Sequence, residues 1–286
     1  MLASSFSFAH LSDLHFFHMN WGLGQFFSKR WIGNGNYILR RKREFNYKLL
    51  EGLSSILIQE KIPFALISGD VSCTALEKEF EKAKYFIQTL ENHGIETLTL
   101  PGNHDKYTKE ASKKNLFYNS FPSSLSNDGF KIQQLNPSWW IIALDTTLPT
   151  PLFCCHGHFS SLLENKLDAA LTKLPSHANV ILTNHFPISN KKEKALERSE
   201  ELTALCKRHK KIKLYLHGHT HKPAIYDGRS EDLPIIIDSG SAVHQFSGGW
   251  NLIHCEDNSC SISPFTWTNG EWTRKQATSF TWDKLI

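Results

Sequence analysis

Short apolar runs, each closed by a polar turn and followed by residues at helical spacing, recur through the first third of the chain. Phe6 to Leu11 is the first and ends in Ser12-Asp13-Leu14-His15. From about Arg43, the residues Phe45, Leu49, Leu53, Ile56 and Leu57 recur with a helical period until Pro63. The next strand, Phe64 to Ser68, ends in Gly69-Asp70. A helix is predicted from about Thr74 to Asn92, with Leu76, Phe80, Ala83, Ile87 and Leu90 on one face and Gly94 as its stop. Thr97 to Leu100 then runs into Gly102-Asn103-His104-Asp105. This βαβαβ order predicts parallel strands joined by right-handed crossovers.

The second half continues the rhythm and then changes it. Trp139 to Leu144 reads as a strand, Ser160 to Leu174 as an amphipathic helix, and Val180 to Thr183 as a buried strand ending in Asn184-His185. A basic helix from about Lys194 to His209 leads to Ile212 to Leu216, which ends in His217-Gly218-His219-Thr220-His221. Short strands follow at Pro223 to Tyr226, Leu233 to Ile237, Trp250 to Cys255 and Cys260 to Thr268. The pattern predicts an α/β chain in one domain over 1–286, with two packed sheets and helices outside.

The polar residues at the strand ends carry the chemistry. Asn offers a neutral oxygen to a hard cation, and His binds metal or moves a proton near neutral pH. A capped turn explains an isolated Gly-Asn equally well. The set is larger than one turn: Asp13, His15, Asp70, Asn103, His104, His185, His219 and His221 all fall at strand ends. Their order, D-x-H, G-D, G-N-H-D, N-H and G-H-x-H, resembles the calcineurin-like metallophosphoesterases from Phe8 to about Ser241. That resemblance implies a four-layer α-β-β-α sandwich and two divalent metal ions, Mn²⁺ ahead of Fe or Zn²⁺. Asp13, His15, Asp70 and His221 would hold one ion. Asp70, Asn103, His185 and His219 would hold the other, with Asp70 as the bridge. By the same resemblance His104 acts on the transition state or the leaving oxygen, and Asp105 orients it. Two cations suit hydrolysis of a phosphate ester or anhydride, because they clamp anionic oxygens and acidify water. His217 is expected to face away by strand alternation. His10, His18, His156 and His158 read as packing or surface histidines.

Composition matters mainly through where the charge lies. The net charge of +4 hides a local cluster, since residues 29 to 48 hold seven basic side chains and one acidic. The rest of the chain keeps 25 of the 32 basic and 27 of the 28 acidic residues. Residues 16 to 47 also hold nine aromatics, so an aromatic and basic insert after the first strand is predicted to reach over the site. It reads as a solvated helix start, as a nucleic-acid surface, or as a membrane-docking element. The third is favoured, with nucleic acid set aside. Within the family, the run Lys29-Arg30-Trp31 and Arg40-Arg41-Lys42-Arg43 resembles the UDP-2,3-diacylglucosamine pyrophosphatase type of lipid A biosynthesis. That likeness implies a lipid-linked UDP-sugar as substrate, cleaved to UMP and 2,3-diacylglucosamine 1-phosphate. Trp21, Phe26, Phe27 and Trp31 would meet the acyl chains, and Arg40, Arg41 and Arg43 the pyrophosphate or lipid head groups. The competing expectations are a soluble cyclic-nucleotide or nucleotide phosphodiesterase and a non-catalytic membrane-docked scaffold.

Six cysteines without a CxxC spacing point to reduced thiols. The first residues lack a secretory pattern and no apolar run is long enough to span a bilayer. A cytoplasmic protein, peripheral on an anionic surface at the inner face of the cytoplasmic membrane, is expected.

Overall fold

Runs that the sequence makes apolar at every position become central strands covered on both faces. The computed structural model describes residues 5–19, 29–123, 125–151, 154–188 and 196–282. In chain order the strands are β1 (Phe6–Leu11), β2 (Phe64–Ile67), β3 (Glu96–Thr99), β4 (Phe130–Gln134), β5 (Trp139–Leu144), β6 (Gly157–His158), β7 (Asn179–Thr183) and β8 (Leu196–Glu197). They continue with β9 (Ile212–His217), β10 (Ala224–Asp227), β11 (Ile235–Asp238), β12 (Gly249–Cys255), β13 (Ser259–Thr268), β14 (Glu271–Arg274) and β15 (Thr278–Thr281).

Two sheets result. The first has the order β14-β13-β12-β1-β2-β3, with β15 on β13. Its β1, β2 and β3 run parallel, with Ala9 opposite Ala65 and Leu66 opposite Leu98. The second has the order β10-β11-β9-β7-β5-β4, parallel through β11, β9, β7 and β5 and antiparallel at both edges. Alternation along β5 shows how the layers meet. Ile141 and Ala143 join the core shared with β1 and β2, whereas Ile142 and Leu144 join Leu163, Leu167, Leu202 and Leu205. Those leucines come from helices Ser161–Lys173 and Ser199–Arg208, which cover the outer face of the second sheet. Helices Lys48–Gln59 and Glu77–Glu91 contribute Leu49, Leu53, Phe80 and Leu90 to the core of the first sheet. The mixed α/β fold with helices flanking two sheets agrees with the expectation.

Several boundaries differ from those expected. The helix expected from Arg43 begins at Lys48, because Phe45 is extended (φ −100°, ψ 128°) and stacks on His15 with ring centroids 5.2 Å apart. The helix expected from Thr74 begins at Glu77, since the Glu79 carboxylate accepts from the backbone N–H groups of Thr74 (2.8 Å) and Leu76 (3.2 Å). The basic helix starts at Ser199 after β8, and residues 189–195 lie outside those described. Edge strand β4 and the last two strands, β14 and β15, were not anticipated.

Part of the insert is built into the body of the protein. It forms a helix at Lys29–Asn36, a π-helical turn at Tyr37–Arg41 and a further turn at Lys42–Glu44. Arg30 is buried and donates to the carbonyls of Thr74 and Ala75, each at 3.1 Å. Lys29 Nζ donates to Thr150 O (3.2 Å), Thr150 Oγ1 (3.0 Å) and Cys154 O (3.3 Å). Among the described residues, no helix is long and apolar enough to cross a membrane.

Candidate metal centre

Both sheets direct the carboxyl ends of their parallel strands to one edge, where loops leave the strands and ligands collect in open α/β sheets. Asp13 and His15 follow β1, Asp70 follows β2, Asn103 follows β3, His185 follows β7, and His219 and His221 follow β9. Asp13, His15, Asp70, His219 and His221 adopt positive φ values of 55°, 44°, 55°, 71° and 57°. Such a conformation costs a non-glycine residue about 1–3 kcal/mol and persists only where the surroundings hold it. Here backbone bonds hold it: Asp13 N donates to Gly69 O and His15 N to Asp70 O, both at 2.9 Å.

The two carboxylates are gripped in the same way. His219 N donates to Asp13 Oδ2 at 2.9 Å, leaving Oδ1 at 3.0 Å from His221 Nε2 and 3.4 Å from His15 Nε2. His104 N donates to Asp70 Oδ1 at 2.7 Å, leaving Oδ2 between His185 Nε2 (3.4 Å) and His15 Nε2 (3.8 Å). One oxygen of each carboxylate is thus fixed by a backbone amide and the other is offered to the histidines. Asp70 Oδ2 faces both groups, as a bridge must. Asn103 Oδ1 lies 3.3 Å from His185 Nε2, and the His185 Nδ1–H donates to Ser68 O at 2.9 Å, which turns Nε2 inward.

Donor atoms therefore converge in three overlapping groups: Asp13 with His15 and His221, Asp70 with His185 and His219, and, between them, His15 and Asp70 with His104. One buried donor atom of the set, His219 Nε2, has no hydrogen-bond partner in the protein, and such an atom is costly unless something satisfies it. Mixed oxygen and imidazole donors, pre-aimed and partly unsatisfied, fit two divalent cations of the Mn²⁺, Fe or Zn²⁺ kind.

Two motif glycines are needed for space. A Cβ on Gly218 would lie 1.9 Å from Ser12 Oγ and 2.4 Å from Asp13 Oδ2. One on Gly102 would lie 2.1 Å from Asp70 Oδ1. The motif therefore requires glycine wherever one ligand loop passes against the carboxylate of another.

The electrostatics follow the geometry. Burial opposes ionisation of Asp13, yet His221 and His15 beside it hold its carboxyl well below the usual range. Burial likewise opposes charge on Asp70, and His185 and His104 more than reverse this, lowering its pKa. His185 is driven down by burial but up more strongly by Asp70, reaching about 9. Burial lowers His219 to about 3 and, with the Arg41 charge, His15 to about 4.

His104 stands at the edge of this group. Its Nδ1 is 2.6 Å from Cys73 O, and since a carbonyl only accepts, Nδ1 carries the proton. Nε2 faces Arg41 Nη2 at 3.1 Å. Asp105 does not orient the ring as expected: its carboxylate accepts from Gly102 N (2.9 Å), Ser72 N (2.8 Å), Ser72 Oγ (2.8 Å) and Val71 N (3.2 Å), so it ties two ligand loops together. Burial, and then the neighbouring Asp70 charge, push its pKa to about 7.

A cleft of about 490 Å³ opens over the ligands, lined among others by Arg41, His104, Lys222, His244 and Ser247. Of the substrate-contacting residues expected, Arg41 lines it. Arg43 is exposed and meets Gln245 through its carbonyl, and Trp31 is 51 % exposed. Trp21, Phe26, Phe27 and the Arg40 side chain lie outside what the structure describes. His244 and Ser247 carried no sequence signal, because long-range contacts bring their loop to the cleft, among them the bridge Phe45↔His244 and the bonds from Gln245 N to Glu44 O (2.8 Å) and Asn46 N to Val243 O (2.9 Å). Lys222 could have been suspected from its place beside His221. His217 is buried against Gly218 O (2.9 Å) and Asp238 (3.6 Å), and His10 bonds Ser68 Oγ at 3.0 Å. His156 and His158 both pair with Glu197.

A family model described as calcineurin-like phosphoesterase matches residues 6–223. The chain belongs to the calcineurin-like phosphoesterases. It is 27% identical over 169 residues to a 3',5'-cyclic-nucleotide phosphodiesterase of Nostoc sp. (strain PCC 7120), and this match spans 58% of each chain. The fold is shared with a dimetal phosphatase from Danio rerio, at a TM-score of 0.70 and 13% identity over 97% of this chain and 99% of that one. It is shared also with a purple acid phosphatase from yellow lupin (Lupinus luteus), at a TM-score of 0.65 and 10% identity over 99% of this chain and 55% of that one. The family is one of dinuclear metal-dependent phosphoesterases, and the donor groups of this chain suit such a centre.

Proposed function

We propose that this phosphoesterase hydrolyses a diphosphate carrying an apolar tail, UDP-2,3-diacylglucosamine, to UMP and 2,3-diacylglucosamine 1-phosphate. In this reading it works with Mn²⁺ at the anionic inner face of the cytoplasmic membrane. The observation that carries it is where large apolar side chains stand exposed. Leu39 is 80 % exposed and lies between the cleft-lining Asn36 and Arg41, and Phe246 is 75 % exposed between the cleft-lining His244 and Ser247. Trp31 and Ile38 of the same insert are also exposed, as are the basic Lys42 and Arg43 that follow Arg41 in the chain. An acylated anion matches that pairing.

When bound, two divalent ions would polarise the phosphoryl oxygens and acidify a water for attack on the α-phosphorus. Asp13, His15, Asp70 and His221 would hold one, and Asp70, Asn103, His185 and His219 the other. The protein's own part is to aim the two carboxylates, through the backbone amides of His104 and His219. His104 and Arg41 line the cleft beside the donor groups, within reach of a phosphate held there. The leaving phosphate is already a stable anion, so it needs positive charge more than a proton, and a guanidinium supplies it.

A second reading is favoured by the Nostoc relative, whose name is that of a 3',5'-cyclic-nucleotide phosphodiesterase. Here the substrate is a soluble nucleotide phosphodiester, and the exposed apolar side chains belong to some other contact. The test measures release of UMP from UDP-2,3-diacylglucosamine in mixed micelles with Mn²⁺, beside cyclic AMP, for the wild type and Asp70→Ala. Lipid turnover that is preferred and is lost in Asp70→Ala supports the first reading, and turnover of cyclic AMP alone replaces it with the second. Trp31→Ser, Leu39→Ser and Phe246→Ser together are expected to raise KM for the lipid at least about tenfold, from roughly 1.5–3 kcal/mol per fully buried large side chain. Cleavage of a soluble diester should stay unchanged.

A further inference from the structure

The contact between Arg41 and His104 joins the insert to the catalytic edge, and its two sides are held in different ways. His104 is wedged. Its ring stacks on Tyr107 with centroids 5.3 Å apart and planes 10° from parallel, meets the edge of His15 at 4.9 Å and 89°, and is tied through Nδ1–H to Cys73 O. Arg41 instead ends a π-helical turn, a local irregularity that often marks functional positions, and rests its guanidinium 5.5 Å above the Phe45 ring. Phe45 in turn stacks on His15.

The guanidinium is poorly matched to its partner. It carries five N–H donors and a full charge, and it meets only neutral groups, the His104 ring nitrogen at 3.1 Å from Nη2 and the Cys73 side chain. Among the described residues, no carboxylate lies within ion-pair distance of Arg41. A phosphoryl group offers several anionic oxygens in the cleft that Arg41 lines, and charge-assisted bonds of that kind are about twice as strong as neutral ones.

We propose that Arg41 is a transferable latch: in the free enzyme its guanidinium occupies His104 Nε2, and an incoming phosphoryl group draws it away, uncovering that nitrogen for the reacting oxygens. The insert thereby makes exposure of His104 conditional on an anion in the cleft. The inference rests on the phosphohydrolase reading and is independent of which phosphate compound is the substrate.

The test uses the full chain, loaded with diamagnetic Zn²⁺ and labelled with ¹⁵N-histidine, with inorganic phosphate as probe. His104 Nε2 is assigned by comparison with His104→Gln. In the wild type its ¹⁵N shift should read as a hydrogen-bonded acceptor and move toward the unbonded value as phosphate saturates. Arg41→Ala should show the unbonded value without phosphate, and Arg41→Lys should restore part of the bonded shift. The kcat of Arg41→Ala on the best phosphodiester should fall about a hundredfold, the usual loss when one donor to a developing charge is removed. A wild-type shift that ignores saturating phosphate, or one identical in Arg41→Ala and the wild type before phosphate is added, overturns the latch. If the shifts respond as expected while no phosphodiester is turned over, the latch stands and the phosphodiesterase reading falls.

Discussion

Alanine at Gly102 would place a methyl group against the carboxylate that bridges both halves of the metal centre. Its Cβ would meet Asp70 Oδ1 at 2.1 Å, Asp70 N at 2.4 Å and Asp70 Cγ at 2.7 Å, where ordinary contact begins at 3.4 Å. Two of the atoms in the way belong to the Asp70 carboxylate, which is buried and bonded to His104 N. Relief therefore means moving the Gly102 loop or Asp70 by more than about 1 Å. Overpacking of this kind costs about 1–3 kcal/mol. Loss of a hydrogen bond to a charged group adds about 1.5–3 kcal/mol. If only half of roughly 4 kcal/mol falls on the metal-bound state, affinity drops about thirtyfold, and the shared ligand makes both ions feel it. Isothermal titration of Mn²⁺ into the metal-stripped protein, with a melting curve alongside, measures both effects. Gly35→Ala is the control. A Cβ there meets nothing within 4 Å and Gly35 lies in the Lys29–Asn36 helix, so alanine should be neutral or stabilise by up to about 1 kcal/mol. Two equivalents of Mn²⁺ bound by Gly102→Ala with wild-type affinity would refute the reasoning.

Other outcomes can be checked on the same protein. Asp70 raises the pKa of His185 to about 9, against burial, so the metal-free protein holds an imidazolium at pH 7.5 that metal binding must deprotonate. Titration in buffers of different ionisation enthalpy should find about one proton released at pH 7.5 and almost none at pH 10, with metal affinity rising between. The stability that the His185–Asp70 pair gives the metal-free protein has the opposite sense. It is complete below the ordinary histidine value of 6.5 and lost as pH rises through about 9. Lys29→Ala removes a cation bonded to three acceptors in the 150–154 loop and should cost about 1–2 kcal/mol. Faster hydrogen exchange confined to 29–41, at unchanged metal affinity, is the expected sign.

Strand-end ligands were legible because each needs two signals that the chain prints side by side, an apolar run and a polar pair after it. Asp13 and His15 after Phe6–Leu11 are the plainest case. The helix boundary at Phe45 was not legible, since its spacing to Leu49 and Leu53 is helical and only its contacts with His15 and His244 hold it extended. Strand β4 escaped for a related reason: Phe130-Lys131-Ile132-Gln133-Gln134 is half polar, and pairing with the wholly buried β5 makes it a strand. The partner of the His104 ring was beyond reach, because a backbone carbonyl such as that of Cys73 carries no residue identity. Asp105 looked like the natural orienting group from sequence proximity. Its bonds to Gly102, Val71 and Ser72 show instead that a carboxylate beside a loop first satisfies the amides nearest to it.

The amide of His219 that grips Asp13, and the pairing of β1 with β12, join positions far apart in time as well as in sequence. A chain still growing on the ribosome has made Asp13, His15, Asp70 and Asn103 long before His219 and His221 exist. Its first strand meanwhile lacks the antiparallel neighbour supplied by Gly249–Cys255. Early capture of a metal ion would therefore find neither the group of Asp13 and His221 nor that of Asp70 and His219 complete. The donor set is completed only by the loop after β9, and the first sheet later still by β12, so both depend on the C-terminal part of the chain being made.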